Sequence, residues 1–132
     1  MKFSTKTTYG LRALARLAKN YPANISLSTI AKKEKISGKY LERIFAILKK
    51  NNLVVAEKGM AGGYALAKEP QKVLVYDIIK TLEGGLSWFH CLNETGKVFC
   101  GAKCHCPAAL VLKKIQASVW STLEQITLRD LV

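Results

Sequence analysis

The sequence predicts a mainly α fold with one small β-hairpin and a long C-terminal helix. Three observations carry this: successive helical apolar stripes in the first half, two β-prone runs flanking a glycine-rich turn, and a regular apolar seam near the C-terminus. At 132 residues the chain suits one domain with an appendage, and it is too short for two independent domains.

Residues 5 to 19 read as the first helix, with Leu11, Leu14, Ala15 and Ala18 as its stripe and Arg12, Arg16 and Lys19 on the other side. Asn20-Tyr21-Pro22-Ala23-Asn24 ends it. Ser26 can cap a second helix bearing Leu27, Ile30 and Ala31, which runs to about Lys35. After the break Ile36-Ser37-Gly38, a third helix carries Leu41, Ile44, Phe45 and Leu48 on one face and Lys39, Glu42, Arg43 and Lys50 elsewhere.

Leu53 to Glu57 and Tyr64 to Ala67 are short strands joined by Lys58-Gly59-Met60-Ala61-Gly62-Gly63, a hairpin with a glycine-rich tip. Val75, Ile78, Ile79 and Leu82 mark a fourth helix that stops at Gly84-Gly85. Ala108, Leu112, Ile115, Val119, Leu123 and Ile126 recur at intervals of four, three, four, four and three, a seam that wants a partner helix and predicts a symmetric dimer. The expected organisation is a winged helix-turn-helix domain over residues 1–83, a cysteine-rich loop over 84–107, and a dimerisation helix with a C-terminal segment over 108–132.

Charge separates the two halves. Against an overall +12, residues 1 to 70 hold 14 basic and 4 acidic side chains, net +10, while residues 71 to 132 hold 7 and 5, net +2. A polyanion is therefore expected on the N-terminal half, and duplex DNA fits, because each neutralised phosphate releases counterions. Helix, tight turn, helix and hairpin is the order of a winged helix-turn-helix module. In such a module Ser37, Lys39, Tyr40, Glu42 and Arg43 sit at the exposed start of the helix that enters the major groove. Lys39 and Arg43 can reach phosphate or guanine edges, Tyr40 sugar or base, and Glu42 a cytosine amino group. Lys58 and Gly59 at the hairpin tip suit a cation brought close to the minor groove.

All four cysteines, Cys91, Cys100, Cys104 and Cys106, lie within one short stretch together with His90 and His105. The start of the chain lacks the apolar core of a signal peptide, and no apolar run approaches the roughly 18 residues of a membrane span. A cytoplasmic protein is expected, so the cysteines point to metal or redox chemistry rather than disulfides. Their composition leaves iron-sulfur, zinc and a bare thiol switch open, whereas the lack of C-x-x-C disfavours a thioredoxin-like site. No paired carboxylates, phosphate loop or cysteine-histidine-acid arrangement suggests an enzyme.

Four segments together resemble a known family. They are Met1 to Leu11, Ile36-Ser37-Gly38-Lys39-Tyr40-Leu41-Glu42, Lys58-Gly59-Met60-Ala61-Gly62-Gly63-Tyr64, and Ile126-Thr127-Leu128-Arg129-Asp130-Leu131-Val132. They are similar to the IscR family, which includes NsrR and CymR, in order and over essentially the whole chain. The resemblance implies a homodimeric transcription regulator, usually a repressor, that binds palindromic double-stranded DNA. It places Tyr40 and Glu42 among recognition-helix residues, with Glu42 at a base-discriminating position. Lys58 stands where many members have a minor-groove arginine, so the charge is kept and the planar fork is lost.

The resemblance also implies an iron-sulfur cluster, by default 2Fe-2S, held by Cys91, Cys100 and Cys106 in the pattern C-x8-C-x5-C. The family histidine falls three residues beyond the last cysteine, where this chain has Ala109, so Cys104 or His105 is the expected substitute. A nitric-oxide or thiol-redox responsive regulator, or a cluster-free regulator of cysteine metabolism, is the alternative.

Overall fold

A computed structural model of the chain describes residues 2–60, 62–89, 91–98 and 106–132. The expectations on His90, Cys100, Cys104 and His105 lie outside the described residues.

The fold is mainly α with one hairpin. Its elements are α1 (Thr5–Lys19), α2 (Leu27–Glu34), α3 (Gly38–Lys50), β1 (Val54–Glu57), β2 (Gly63–Leu66), α4 (Val75–Glu83) and α5 (Pro107–Gln125). Short 3-10 turns occupy Pro70–Lys72 and Leu128–Leu131. Each of the first three helices starts on a serine: Ser4, Ser26 and Ser37 accept the backbone N–H of Thr7, Thr29 and Tyr40. Lys35 closes α2 in the left-handed conformation, which turns the chain sharply into α3, and Gly84 closes α4 the same way at φ 76°.

The stripe of α3 packs as its spacing predicts, with Leu41, Ile44, Phe45 and Leu48 fully buried. They join Leu14 and Leu17 of α1, Ile30 of α2, and Ile78 and Leu82 of α4 in one core. The stripe of α1 is turned from the expected one. Leu14 and Ala18 are buried, but Leu11 and Ala15 are only half-buried, and Thr7, Gly10, Ala13 and Leu17 take their place. Gly10 explains the shift: a Cβ there would lie 2.3 Å from Leu82 Cδ1, so α1 approaches α4 through a residue with no side chain.

The hairpin is antiparallel with Val54 opposite Leu66 and Glu57 opposite Gly63. It is fastened to the helices at its base. Tyr64 pairs with Ile25, just ahead of α2, and its ring meets Phe45 edge-on at 4.8 Å between centroids. Gly63 is required there, because a Cβ would fall 2.4 Å from the Ile25 carbonyl oxygen.

The chain's end returns to the first core. The N–H of Leu128 donates to the carbonyl of Val73 at 2.8 Å, that of Val75 donates to the carbonyl of Ile126 at 2.9 Å, and Leu128 is fully buried. Between these anchors α5 lies on a smaller cluster of Val75, Ile79, Leu86 and Leu123, with Trp88, Val119 and Trp120 against it. The predicted seam of α5 is therefore only partly covered. Leu123 is buried and Leu112, Val119 and Ile126 are half-buried, while Ala108 and Ile115 are exposed. The buried face runs through Ala109, Gln116 and Leu123.

Candidate nucleic-acid interface and cysteine segment

Because α3 is held by four buried side chains, the remaining positions of its first turns face outward together. Ser37, Lys39, Glu42 and Arg43 are exposed. Tyr40 is half-buried, its ring edge-on to Tyr9 at 5.7 Å, so it braces α3 against α1 and leaves part of its surface to solvent. Among the described residues no ion pair engages Lys39, Arg43 or Lys58. Cations without an internal counter-ion remain available to an external anion.

Two other basic residues are committed internally, contrary to a purely solvated face on α1. Arg16 Nη2 lies 2.6 Å from Glu34 Oε1 and Arg12 Nε lies 3.3 Å from Glu34 Oε2, tying α1 to the end of α2. Burial pushes the Glu34 carboxyl up, but the hydrogen bonds and charges of Arg16 and Arg12 outweigh it and hold the group below the usual glutamate value.

On the hairpin Lys58, Gly59 and Met60 are exposed. Gly59 has φ +111°, and its carbonyl accepts the N–H of Gly62 at 2.9 Å. A Cβ at Gly62 would meet the Glu57 carbonyl oxygen at 2.6 Å, so the turn is closed by glycine on both sides. Asn24 Nδ2 donates to the Glu57 carboxylate, which draws that acidic group toward the hairpin's base.

The described part of the cysteine segment is organised by Asn93. Its side-chain oxygen accepts from the N–H of Thr95 at 3.0 Å and of Lys97 at 2.8 Å, and Leu92 pairs with Val98. The carbonyl of Asn93 accepts from Nε2 of Gln116, at 3.1 Å, on α5. Gln116 is only 1% exposed, a polar residue that periodicity reading had no reason to single out. Its Oε1 and the indole N–H groups of Trp88 and Trp120 are buried without a hydrogen-bond partner among the described residues.

Cys91 and Cys106 are half-buried free thiols, and Cys106 stands at the N-cap of α5 with its sulfur unused for capping. Two soft donors at the two ends of the segment suit a thiolate-bound metal or cluster in their chemistry. Ala109 is buried one turn into α5 and offers no donor. Across the molecule, no helix among the described residues is long and apolar enough to cross a membrane.

Comparison with known proteins finds relatives over nearly the whole chain. The family profile Rrf2, described as iron-dependent transcriptional regulator, matches residues 3–132. The solved structure of IscR from T. potens superposes with a TM-score of 0.80 at 35% identity, covering 99% of this chain and 85% of that one. CymR, the global cysteine regulator of B. subtilis, superposes with a TM-score of 0.83 at 34% identity, covering 99% and 95%. The transcriptional regulator IscR of Cereibacter sphaeroides is 30% identical, with 100% of this chain and 87% of that protein covered. The two solved structures are winged-helix proteins of the same build.

Proposed function

Because the chain belongs to the Rrf2 family of transcription regulators, we propose that it is a homodimeric DNA-binding repressor that reads iron-sulfur cluster status through its cysteine segment. The observation that carries the DNA-binding part is α3, whose buried stripe turns Ser37, Lys39, Glu42 and Arg43 outward together. In the major groove Arg43 and Lys39 donate to phosphate or guanine edges and Glu42 accepts from a cytosine amino group. Tyr40 supports this face and touches sugar or base with its exposed part. Lys58 and Gly59 bring the hairpin to the adjacent minor groove. Two copies joined through α5 present two α3 helices, which calls for a palindromic operator.

Cys91, Cys100 and Cys106 are the proposed cluster ligands, with Cys104 or His105 in the place of the donor that Ala109 lacks. When bound, a 2Fe-2S cluster supplies a redox centre sensitive to oxidants, nitric oxide and iron supply. The chain's own part is transmission. Gln116 holds the Asn93 carbonyl, so the segment beside Cys91 is tied to the helix that joins the two copies. A change of order there alters the spacing of the recognition helices. Relatives named IscR and CymR stand at 35% and 34% identity, so overall identity does not choose between them. The clustered cysteines favour the cluster reading.

The test is binding, across a salt series, to a duplex enriched by the protein from a random pool. Arg43→Ala and Lys58→Ala should each weaken binding, and Lys58→Ala should lower the slope of log affinity against log salt by about one. Unchanged affinity in both variants would contradict the interface. An absorption spectrum of protein purified without oxygen, with iron and sulfide assays, tests the cluster. A colourless sample holding zinc would refute it, and release from DNA by thiol oxidants in such a sample would establish a thiol switch instead.

A further inference from the structure

Met60 is the most exposed of the large apolar side chains among the described residues, at 109% relative exposure against 62% for the next, Leu110. A single exposed methionine is ordinary on a protein surface. This one sits at the tip of a braced finger. The tip is closed by the Gly62 to Gly59 hydrogen bond, and the base is fastened by the Ile25–Tyr64 pairing and the Phe45–Tyr64 ring contact. The side chain thus projects from the tip, fully exposed among the described residues. Lys58 lies two residues before it, and the nearby Glu57 carboxylate is engaged by Asn24.

A cation beside an unbranched, polarizable apolar side chain on a projecting tip has a matching surface in the DNA minor groove. The groove's negative potential attracts the cation, and its floor exposes stacked base edges that an apolar wedge can part. Wedges of this kind act most easily at pyrimidine–purine steps, which unstack with little resistance. We infer that Met60 is such a wedge: it enters the minor groove beside Lys58 and gives the protein a preference for a deformable base step under the hairpin. This rests on the DNA-binding reading proposed above.

The experiment uses the full-length protein and the duplex enriched from a random pool, with the hairpin's contact located by hydroxyl-radical footprinting. Met60→Ala should bind about tenfold more weakly, with an unchanged salt slope and a smaller DNA bend by fluorescence energy transfer. Met60→Leu should keep most of the affinity and bend. Replacing the pyrimidine–purine step under the hairpin by a stiff A-tract should weaken the unsubstituted protein and leave Met60→Ala almost unaffected. Since the side chain is exposed, the urea midpoint should not move in either variant. If Lys58→Ala weakens binding while Met60→Ala binds and bends DNA like the unsubstituted protein, the wedge is overturned and the DNA-binding reading stands. If neither substitution matters, the hairpin does not contact DNA and the wedge falls with that part of the reading.

Discussion

In the winged-helix half Leu14, Leu41, Ile44, Phe45, Leu48 and Ile78 are fully buried, whereas on α5 Leu110 and Val111 are 62% and 57% exposed. The contrast extends to polar groups. Ser4, Ser26 and Ser37 cap the first three helices, while among the described residues the unpartnered buried polar atoms lie at Trp88, Gln116 and Trp120, around α5. The core of the first region is closed, with Leu128 from the chain's end completing it, whereas α5 presents apolar surface and unused polar groups. In the proposed function the first holds a fixed shape against DNA and the second responds to a second copy and a cluster.

The largest effect expected from breaking this contrast is in the closed core. Phe45→Ala should destabilise the protein by about 3–5 kcal/mol, measured by urea unfolding, because the ring is fully buried against Tyr64 and its neighbours. On α5 the effect should be of another kind. Val111→Lys should barely change the unfolding of the winged-helix half, yet shift the protein to monomer in sedimentation and weaken operator binding on the order of a hundredfold, as two linked half-sites become independent.

A smaller effect is expected where the chain's start meets α4. Glu83 accepts from the backbone N–H and the hydroxyl of Ser4, each at 2.8 Å, and from the Thr7 hydroxyl. Burial pushes this carboxyl up, but the bonds from Thr7 and Ser4, with Lys6 nearby, outweigh it and hold the group below the ordinary 4.5. The stabilisation is therefore complete above that value and is lost as pH falls through the lowered folded value. Glu83→Gln should cost about 1–2 kcal/mol at neutral pH, with the difference from the unsubstituted protein shrinking in acid. Equal stability of the two at neutral pH would remove Glu83 from the support of α1.

The smallest effect on stability belongs to Gln116. Gln116→Leu removes one hydrogen bond and one unpaired buried oxygen, so global stability should change by less than about 1 kcal/mol. Amide exchange over residues 92–98 should nevertheless rise, because the Asn93 carbonyl loses its tie to α5. Unchanged exchange there would deny Gln116 its transmitting role.

Where a local pattern determined the outcome, the structure was legible beforehand. Ser26 just ahead of an apolar period marked α2, and the four buried residues of α3 are those its spacing names. The face of α1 was misjudged because Thr7 and Gly10 carry no hydropathy signal, although the lack of a side chain at Gly10 lets α4 approach. The return of Leu128 to Val73 rests on residues far apart in sequence, a contact that no local period encodes. On α5 only Ala108 and Ile115 of the expected seam are exposed, and Leu110 and Val111, which lie outside it, are more exposed than Ile115. The inward face was not legible, since Gln116 reads as surface until Asn93 is placed beside it. The grouping of the cysteines is legible in the sequence alone, whereas Ala109 stands out only against the histidine that the family resemblance implies.

The most direct measurement is operator affinity of anaerobically purified, cluster-loaded protein across a salt series, repeated after the cluster is removed with a chelator. The division between a fixed reading half and a responsive half predicts the same steep salt slope in both states, with an affinity that differs between them. Identical affinity in the two states would contradict it.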